Sequence, residues 1–476
     1  MPIAKTLIGG RWESRDVRRP VHDPADGSLV GEIDWSSNPA DDARRAADAA
    51  ALAFESWSTT TARYRAQALL AAAERIEQRA DDLAVLLARE AGKRLPEARG
   101  EIAFSVEYFR WFAEQTRRPN GALVPGEAEA RRHLVRRKPA GVVASLTPWN
   151  FPCSIQARKL APALAAGCTV VARVSEKAPL AVTEMIRCLT EAGLPDGVVN
   201  LVHGSPAETT EALLAHPAVR IVSFTGSTEV GRAIMAQASA RIVRPLLELG
   251  GNAPFVVLDD ADIDAAVAGA MLGRFRNTGQ SCIAANRFLV QEAVHDEFAE
   301  KLTKHIDAMV VGNGLDEPCP DLGPVIDTDR RDAVEALVGD AVSAGGRLLT
   351  TPREVPSQGS FAAPALLTDV PRDRGLATAE VFGPAAAVFR VSDADDAVAF
   401  ANATEMGLAG YVWSRDITRA WRLGERLDAG IIGINEALPS VAFAPMGGTK
   451  QSGLGREGGD LGLEEFTDVQ YASLTL

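Results

Sequence analysis

The chain has 476 residues, 46% hydrophobic and 24% charged, and these ordinary fractions exclude disordered and collagen-like classes. The length exceeds what one core comfortably uses and predicts two or three domains. With 50 Lys and Arg against 63 Asp and Glu, the net charge is −13. So acidic a chain is an unfavourable general partner for nucleic acid.

Cysteine and histidine spacing predicts neither a disulfide framework nor a metal site. The 5 cysteines are scattered without a C-x-x-C pair, and the 6 histidines show no H-x-x-x-H spacing. The N-terminal sequence lacks the apolar run of a signal peptide, and no apolar stretch reaches the roughly 20 residues of a membrane span. We therefore expect a cytoplasmic protein with no metal and no membrane contact.

The predicted elements begin with helices over residues 40–118, where apolar residues recur at three and four positions and Gly92 suits a helix end. From residue 141, short β-rich runs alternate with helical segments as far as a helix that starts near residue 228. A second series of this kind runs over about 251–435. Repeated strand–helix–strand units predict parallel sheets with helices on both faces, and ligands of such sheets bind at the carboxyl ends of the strands.

The basic run RRHLVRRK, residues 131–138, has two interpretations. It could be a nucleic-acid patch, or it could be a strand, because basic and apolar residues alternate in it. The run is short and belongs to an acidic chain, so we favour the strand. The C-terminal DVQYASLTL alternates in the same way.

Cys282 lies in RNTGQSCIAANR, residues 276–287, among small and polar residues rather than Leu, Ile or Val. This setting suits a thiolate that a substrate must reach. A loop cysteine with no role is the alternative.

A second candidate is FTGSTEVG, residues 224–231, at a strand-to-helix turn. Gly226 and Gly231 have G-x-x-x-x-G spacing, and free backbone N–H groups at such a turn can hold a pyrophosphate. A plain turn with Ser227 or Thr228 as the N-cap explains the same residues.

Two further side chains could take part in catalysis. Glu248 stands between Leu247 and Leu249, where a raised pKa would suit a general base, although it could also be a strand-ending glutamate in water. Asn150 could offer its amide to an oxyanion, or it could simply make the turn before Pro152.

Taken together, these stretches resemble the aldehyde dehydrogenase superfamily over nearly the whole chain. The family's motifs occur in its order and at about its spacing: PWNFP (148–152), FTGSTEVG (224–231), LELGG (247–251), GQSC (279–282) and EVFGP (380–384). The resemblance implies an α/β aldehyde dehydrogenase fold with two Rossmann-like parallel-sheet domains and a small β oligomerisation arm.

The resemblance also implies a mechanism and the residues that perform it. Cys282 would attack the aldehyde to form a thiohemiacetal, and hydride transfer to a nicotinamide would leave a thioester. The Asn150 amide and the Cys282 backbone N–H would hold the oxyanion. Glu248 would activate water, which favours a carboxylic acid product over acyl transfer to CoA, and Lys159 matches a lysine near this proton path. Positions matching cofactor contacts are Thr147, Pro148, Trp149, Arg173, Glu176, Gly226, Ser227, Leu249, Glu380 and Phe382.

Within the superfamily, FRNTGQSCIAANRFLVQ and LELGGNAPFVVLDDADID look most like the succinate-semialdehyde dehydrogenase branch. In that branch two arginines and a serine bind the substrate carboxylate, and the matching residues are Arg158, Arg276 and Ser440. A guanidinium can clamp a carboxylate with two hydrogen bonds, although most arginines are solvated surface residues. Glutarate semialdehyde, a neutral aldehyde, or esterase chemistry without a cofactor are the alternatives.

Three departures from the branch bear on these expectations. Ala284 stands where a second cysteine often allows a redox-switching disulfide, so we expect no such switch. Arg173 replaces the usual lysine at the adenosine ribose and could admit NADP, whereas Glu176 matches a position whose carboxylate favours NAD. We expect NAD, with NADP as the alternative. Met446 and Thr449 replace aromatic and aliphatic residues near the substrate mouth.

The resemblance divides the chain into three parts. Residues 1–119 and 140–248 would form the cofactor-binding domain, and residues 249–435 the catalytic domain. A bridging arm would pair 120–139 with 436–476. Such an arm has little core of its own, so we expect a homodimer or homotetramer. The expected substrate is a small aldehyde.

Overall fold

The computed structural model describes residues 1–118 and 121–476. The expected boundary between residues 119 and 120 therefore lies outside the described residues. The helices are α1 (Pro39–Trp57), α2 (Ala62–Gln78), α3 (Ala80–Ala91), α4 (Leu95–Gln115), α5 (Pro152–Ala166), α6 (Leu180–Glu191), α7 (Pro206–Ala215), α8 (Thr228–Ser239), α9 (Ile263–Phe275), α10 (Glu292–Asp307), α11 (Thr328–Ser343), α12 (Gly375–Thr378), α13 (Ala394–Asn402), α14 (Ile417–Gly424) and α15 (Gly459–Glu464), with a short 3-10 helix at Arg276–Gly279.

The strands are β1 (Ile3–Ala4), β2 (Thr6–Ile8), β3 (Arg11–Glu13), β4 (Val17–His22), β5 (Leu29–Trp35), β6 (Ala122–Val124), β7 (Arg131–Pro139), β8 (Val142–Leu146), β9 (Thr169–Arg173), β10 (Val199–Val202), β11 (Val219–Thr225), β12 (Arg244–Glu248), β13 (Ala253–Val257), β14 (Ala285–Gln291), β15 (Arg347–Leu348), β16 (Ala365–Thr368), β17 (Ala385–Val391), β18 (Met406–Gly407), β19 (Ala409–Trp413), β20 (Ile431–Ile434), β21 (Thr449–Lys450), β22 (Gly453–Leu454) and β23 (Thr467–Thr475).

The first large sheet has the strand order β22-β12-β11-β8-β9-β10-β2-β3. The run from β12 to β10 is parallel, and β2, β3 and β22 add antiparallel edges. Strands β8, β9 and β10 are buried at every position, as expected when helices cover both faces. Catalytic and cofactor candidates therefore collect where β8, β9, β11 and β12 end.

The second large sheet has the order β15-β16-β17-β14-β13-β19-β20. It is parallel from β16 to β20, with β15 antiparallel at one edge. Two mainly parallel sheets covered by helices confirm the predicted α/β class. No helix within the described ranges is long and apolar enough to cross a membrane.

A small third sheet joins β6, β7 and β23. The run 131–138 lies in β7 and pairs antiparallel with the C-terminal strand, from Thr467 opposite Pro139 to Thr475 opposite Arg131. Part of the tail lies elsewhere, because Gly453 in β22 pairs with Glu248 at the edge of the first sheet. The exact limits of the three domains stay a prediction.

Candidate active site

A cavity of about 230 Å³ lies at the carboxyl ends of the first sheet's strands and takes in the cysteine loop of the second. The sequence-predicted residues that line it are Pro148, Trp149, Asn150, Gly226, Ser227, Glu248, Leu249, Cys282, Glu380 and Phe382. Arg330, which lies outside every motif, also lines it. Five separate motifs thus meet in one place.

Cys282 follows the 3-10 helix that ends at Gly279, and its side chain is half-buried. Within that helix Asn277 and Thr278 have φ values of 53° and 54°, a left-handed conformation that is unusual for a threonine. Burial raises the pKa of the Cys282 thiol to about 12, while the positive charge of Arg158 acts in the opposite direction. At neutral pH the side chain is therefore a thiol, and any role as a nucleophile would require it to lose this proton.

Glu248 ends β12 and is only 3% exposed, which rules out a glutamate in water. Neither of its carboxylate oxygens has a hydrogen-bond partner among the described residues. Burial, and then repulsion from Glu457, raise its pKa to about 7, against the pull of Arg158 and Lys159. A carboxylate with this pKa and free lone pairs suits a general base at neutral pH.

Asn150 lies in the connection between β8 and α5. Its Nδ2 donates to the Gln280 carbonyl oxygen at 3.2 Å, which aims the amide at the cysteine loop. A primary amide has two N–H donors, so the second remains for another acceptor. This arrangement goes beyond a simple turn before Pro152.

Lys159 belongs to a fully buried ionic cluster. Its partner in that cluster, Glu457, was not predicted from the sequence. Lys159 Nζ donates to Glu457 and, at 3.0 Å, to Ser223 Oγ. Arg158 Nε lies 2.6 Å from the other carboxylate oxygen of Glu457. Burial favours a raised pKa for Glu457, but Lys159 and Arg158 outweigh it and the pKa is lowered. Glu457 lies in a glycine-rich stretch without periodicity, so no local pattern indicated its role.

Two of the three proposed carboxylate-binding residues meet at Met446. The Arg158 guanidinium contacts Met446 Sδ, and Ser440 Oγ lies 3.8 Å from the same sulfur. Because Arg158 also pairs with Glu457, its charge is already partly neutralised. The Thr449 hydroxyl instead donates to the backbone oxygens of Gly407 and Asp428, so its hydrogen bonds hold the local backbone.

Arg276 differs from Arg158, because its half-buried guanidinium makes no ion pair or hydrogen bond within the part of the chain that the structure describes. It lies over the Phe151 ring, 4.8 Å from the centroid. Burial and the neighbouring Cys282 raise the pKa of Tyr411, while Arg276 lowers it, so both flank this tyrosine. Arg276 is thus a cation with no ionic partner among the described residues, and it lies over Phe151 without lining the 230 Å³ cavity.

The two glycines of the turn after β11 pack closely against neighbouring side chains of the protein. A Cβ at Gly226 would lie 2.4 Å from the Phe224 ring, and one at Gly231 would lie 2.5 Å from Leu249 Cδ2. Ser227 caps α8 by accepting a hydrogen bond from the Val230 N–H at 3.4 Å. Glycine and a capped helix N-terminus together suit pyrophosphate binding. The N-cap interpretation of Ser227 is therefore correct, and it is compatible with the cofactor interpretation.

A second cleft of about 350 Å³ continues from this point between α7 and α8. Its walls are mainly apolar, as an adenine ring requires, and it includes Thr147 and Arg173 at its polar edge. At the other end of the cofactor path, the Trp149 and Phe382 rings stand edge to face with centroids 5.4 Å apart. Glu380 accepts from the Gly251 N–H at 3.2 Å, and burial raises its pKa to about 7. These residues fit a dinucleotide.

Arg173 and Glu176 do not compete for the cofactor independently, since they pair with each other. Arg173 Nη2 lies 2.6 Å from Glu176 Oε2, and the side chains are 9% and 38% exposed. Burial lowers the pKa of Arg173. Burial also acts to raise the pKa of Glu176, but Arg173 prevails and lowers it. The carboxylate is therefore charged and is the more accessible member of the pair.

Comparison with known proteins agrees with this geometry. A profile of the aldehyde dehydrogenase family matches residues 12–472. The chain is 42% identical to the succinate-semialdehyde dehydrogenase [NADP(+)] of Escherichia coli, covering 99% of this chain and 98% of that protein. It is 41% identical to a glutarate-semialdehyde dehydrogenase of Pseudomonas aeruginosa, with coverages of 99% and 97%. The crystal structure of betaine aldehyde dehydrogenase from Staphylococcus aureus in complex with NAD+ is 33% identical and has a TM-score of 0.95, with coverages of 99% and 94%.

Proposed function

The chain belongs to the aldehyde dehydrogenase family, and we propose that it oxidises succinate semialdehyde to succinate. NAD(P)-dependent oxidation of an aldehyde to a carboxylic acid follows from the family. The observation that carries the chemical part of the proposal is that the Cys282 thiol and the unpartnered Glu248 carboxylate line one cavity. Sulfur supplies the nucleophile and the carboxylate supplies the base.

The residues divide the reaction into two stages. The Cys282 thiol proton passes to water that reaches the half-exposed sulfur, Sγ bonds to the aldehyde carbon, and the carbonyl oxygen becomes an oxyanion that the Asn150 amide stabilises. When bound, the oxidised nicotinamide supplies the hydride acceptor that makes a thioester accessible. Glu248 then removes a proton from water, the water oxygen attacks the thioester carbon, and the carbon–sulfur bond breaks. Succinate leaves, and the sulfur regains a proton.

The charge of the site supports a substrate with its own carboxylate. Arg276 is a cation without an ionic partner among the described residues, and Ser440 can add a hydroxyl donor. We propose Arg276 as the principal carboxylate contact, because Glu457 already engages the Nε of Arg158. Glutarate semialdehyde is the second candidate, since one methylene changes discrimination by only about 1–3 kcal/mol.

Initial rates of cofactor reduction test this proposal. Succinate semialdehyde, glutarate semialdehyde and a neutral aldehyde of similar length are each assayed with NAD and with NADP. We expect the anionic aldehydes to exceed the neutral one in kcat/KM by about tenfold or more, which corresponds to about 1.4 kcal/mol. A higher kcat/KM for the neutral aldehyde would contradict the role assigned to Arg276. Ester turnover without aldehyde oxidation or cofactor binding would favour the esterase alternative.

Arg276→Met is expected to lower kcat/KM for succinate semialdehyde by about 10- to 100-fold, because a hydrogen bond to a charged group contributes about 1.5–3 kcal/mol. Methionine keeps much of the side-chain volume over Phe151 but loses the charge. The neutral aldehyde is the internal control and should change by less than about twofold on the same scale. An equal loss for both aldehydes would show that Arg276 does not select the carboxylate.

For the cofactor we propose NAD, because the accessible carboxylate of Glu176 can accept ribose hydroxyls and would repel a 2′-phosphate. The Escherichia coli relative is named for NADP+, so the preference is a proposal for this chain alone. Glu176→Gln is expected to raise the NADP/NAD ratio of kcat/KM by about tenfold, as removal of a like charge predicts. Glu292→Gln, the same change at an exposed first-turn residue of α10 that lines neither cleft, is the control. A wild-type enzyme that prefers NADP would contradict the assignment.

We also propose a homodimer or homotetramer in the cytoplasm. The β6–β7–β23 sheet exposes large apolar side chains, among them Leu123, Val469 and Tyr471. Such a sheet has little core of its own. Light scattering of the purified protein measures the oligomeric state.

A further inference from the structure

Lys93 is a buried cation outside the cavity that contacts the backbone of the oxyanion residue. It follows the left-handed Gly92 at the end of α3 and is 2% exposed. Its Nζ donates to the Asn150 carbonyl oxygen at 2.6 Å and lies 4.0 Å from the centre of the Phe151 ring. The reaction described above makes no use of this ammonium group.

Glu101, on α4, binds Lys93 and the start of the next helix with its two oxygens. Oε2 lies 2.8 Å from Lys93 Nζ. Oε1 accepts hydrogen bonds from the Cys153 N–H at 2.9 Å and the Ser154 N–H at 3.2 Å, the first turn of α5. One carboxylate therefore fixes both the N-terminus of α5 and the cation on the preceding Asn150 carbonyl.

The same carbonyl is tied to the cysteine loop. Asn277 Nδ2 donates to the Asn150 oxygen at 3.0 Å and to the Gln280 oxygen at 3.2 Å. The Gln280 oxygen also accepts from Asn150 Nδ2. The Asn150 residue is thus held at its carbonyl by Lys93 and Asn277 and at its side chain by the loop that carries Cys282.

We propose that Lys93 and Glu101 are positioning residues that aim the Asn150 amide at the oxyanion. This inference rests on the proposed role of Asn150. An oxyanion donor acts only from a narrow range of positions, and a displacement of about 1 Å far from the chemistry can cost about a hundredfold in rate. A purely structural ion pair would stabilise the fold without any specific link to Asn150.

A double-mutant cycle separates these roles. Lys93→Met is compared in the wild-type and Asn150→Ala backgrounds by the single-turnover rate of cofactor reduction with succinate semialdehyde. We expect a loss of about tenfold or more in the wild type and of less than about twofold in Asn150→Ala, because contacts that act through one residue are not additive. An equal fold-loss of the single-turnover rate in both backgrounds would overturn the proposal.

Two controls make the result specific. Alkylation of Cys282 by iodoacetamide forms no oxyanion, so its rate should be unchanged in Lys93→Met. Glu90→Gln is the matched control for Glu101→Gln. Glu90 is a buried carboxylate that accepts from the Leu180 and Ala181 N–H groups at the start of α6 and makes no hydrogen bond to Lys93 or Asn150 within the described residues. Glu101→Gln should slow cofactor reduction several-fold, and Glu90→Gln should not.

The outcomes distinguish this inference from the proposed function. If Asn150→Ala leaves the single-turnover rate unchanged, the oxyanion role itself fails. If Asn150→Ala slows the reaction but Lys93→Met and Glu101→Gln do not, only the positioning role fails. Should Lys93→Met not fold, Glu101→Gln still decides, because glutamine keeps an acceptor for α5 and loses only the charge opposite Lys93.

Discussion

Cys282→Ser is expected to lower aldehyde oxidation by at least about a thousandfold, as removal of a covalent nucleophile does in other enzymes. A serine hydroxyl has a far higher pKa than a thiol and is a weaker nucleophile in this buried setting. The burial that raises the thiol pKa to about 12 would disfavour an alkoxide still more. The variant should form no covalent adduct with the aldehyde.

The fold of Cys282→Ser should be intact, since the substitution changes one atom. Cofactor binding followed through quenching of Trp149 fluorescence checks this, because Trp149 lines the same cavity. Cys319→Ser, the same change at another partly exposed cysteine, should keep full activity. Full residual activity of Cys282→Ser would contradict the covalent mechanism.

Glu248→Gln is expected to reduce steady-state turnover by about 10²- to 10⁴-fold, the usual range for a general base. Once its proton has passed to solvent, the Cys282 thiolate is a strong nucleophile, whereas water depends on the base in the step itself. Hydrolysis should therefore slow more than acylation. A rapid-mixing trace should show up to one equivalent of reduced cofactor per active site, followed by a slow steady state.

The pH profile gives an independent readout of Glu248. Its pKa is raised to about 7, and the active form is the carboxylate. Turnover in the wild type should therefore fall as the pH drops through about 7 and rise to a plateau above it. This step should be missing from the profile of Glu248→Gln. A wild-type profile that stays flat from pH 5 to 9 would contradict the assignment, since about 1% of the carboxylate remains two pH units below its pKa.

The sequence predicted the α/β class and the helices of residues 40–118 because these segments are long and periodic. It did not predict β1–β5, which are short and pair with distant strands, as when β2 joins β10. For the site, the resemblance of the motifs to those of the family was enough to predict that Asn150, Glu248 and Cys282 lie together. Their roles as catalytic residues remain proposals that the variants above test.

Residues outside the motifs were missed because their partners are far away in the chain. Glu457 pairs with Lys159 across 298 positions and Lys93 reaches Asn150 across 57, so no local spacing indicates either contact. The pairing of Arg173 with Glu176 spans only three positions, but a sequence alone does not say whether neighbouring charges face the cofactor or each other. In each case the sequence does not show which side chains are buried against one another.

The covalent route through Cys282 is tested most directly by mass spectrometry of Glu248→Gln. The variant is mixed with succinate semialdehyde and NAD, quenched in acid within the burst, and digested. We predict a succinyl group on the peptide that contains Cys282 and on no other cysteine peptide. Reduced cofactor formed in stoichiometric amount with Cys282 unmodified would contradict the mechanism.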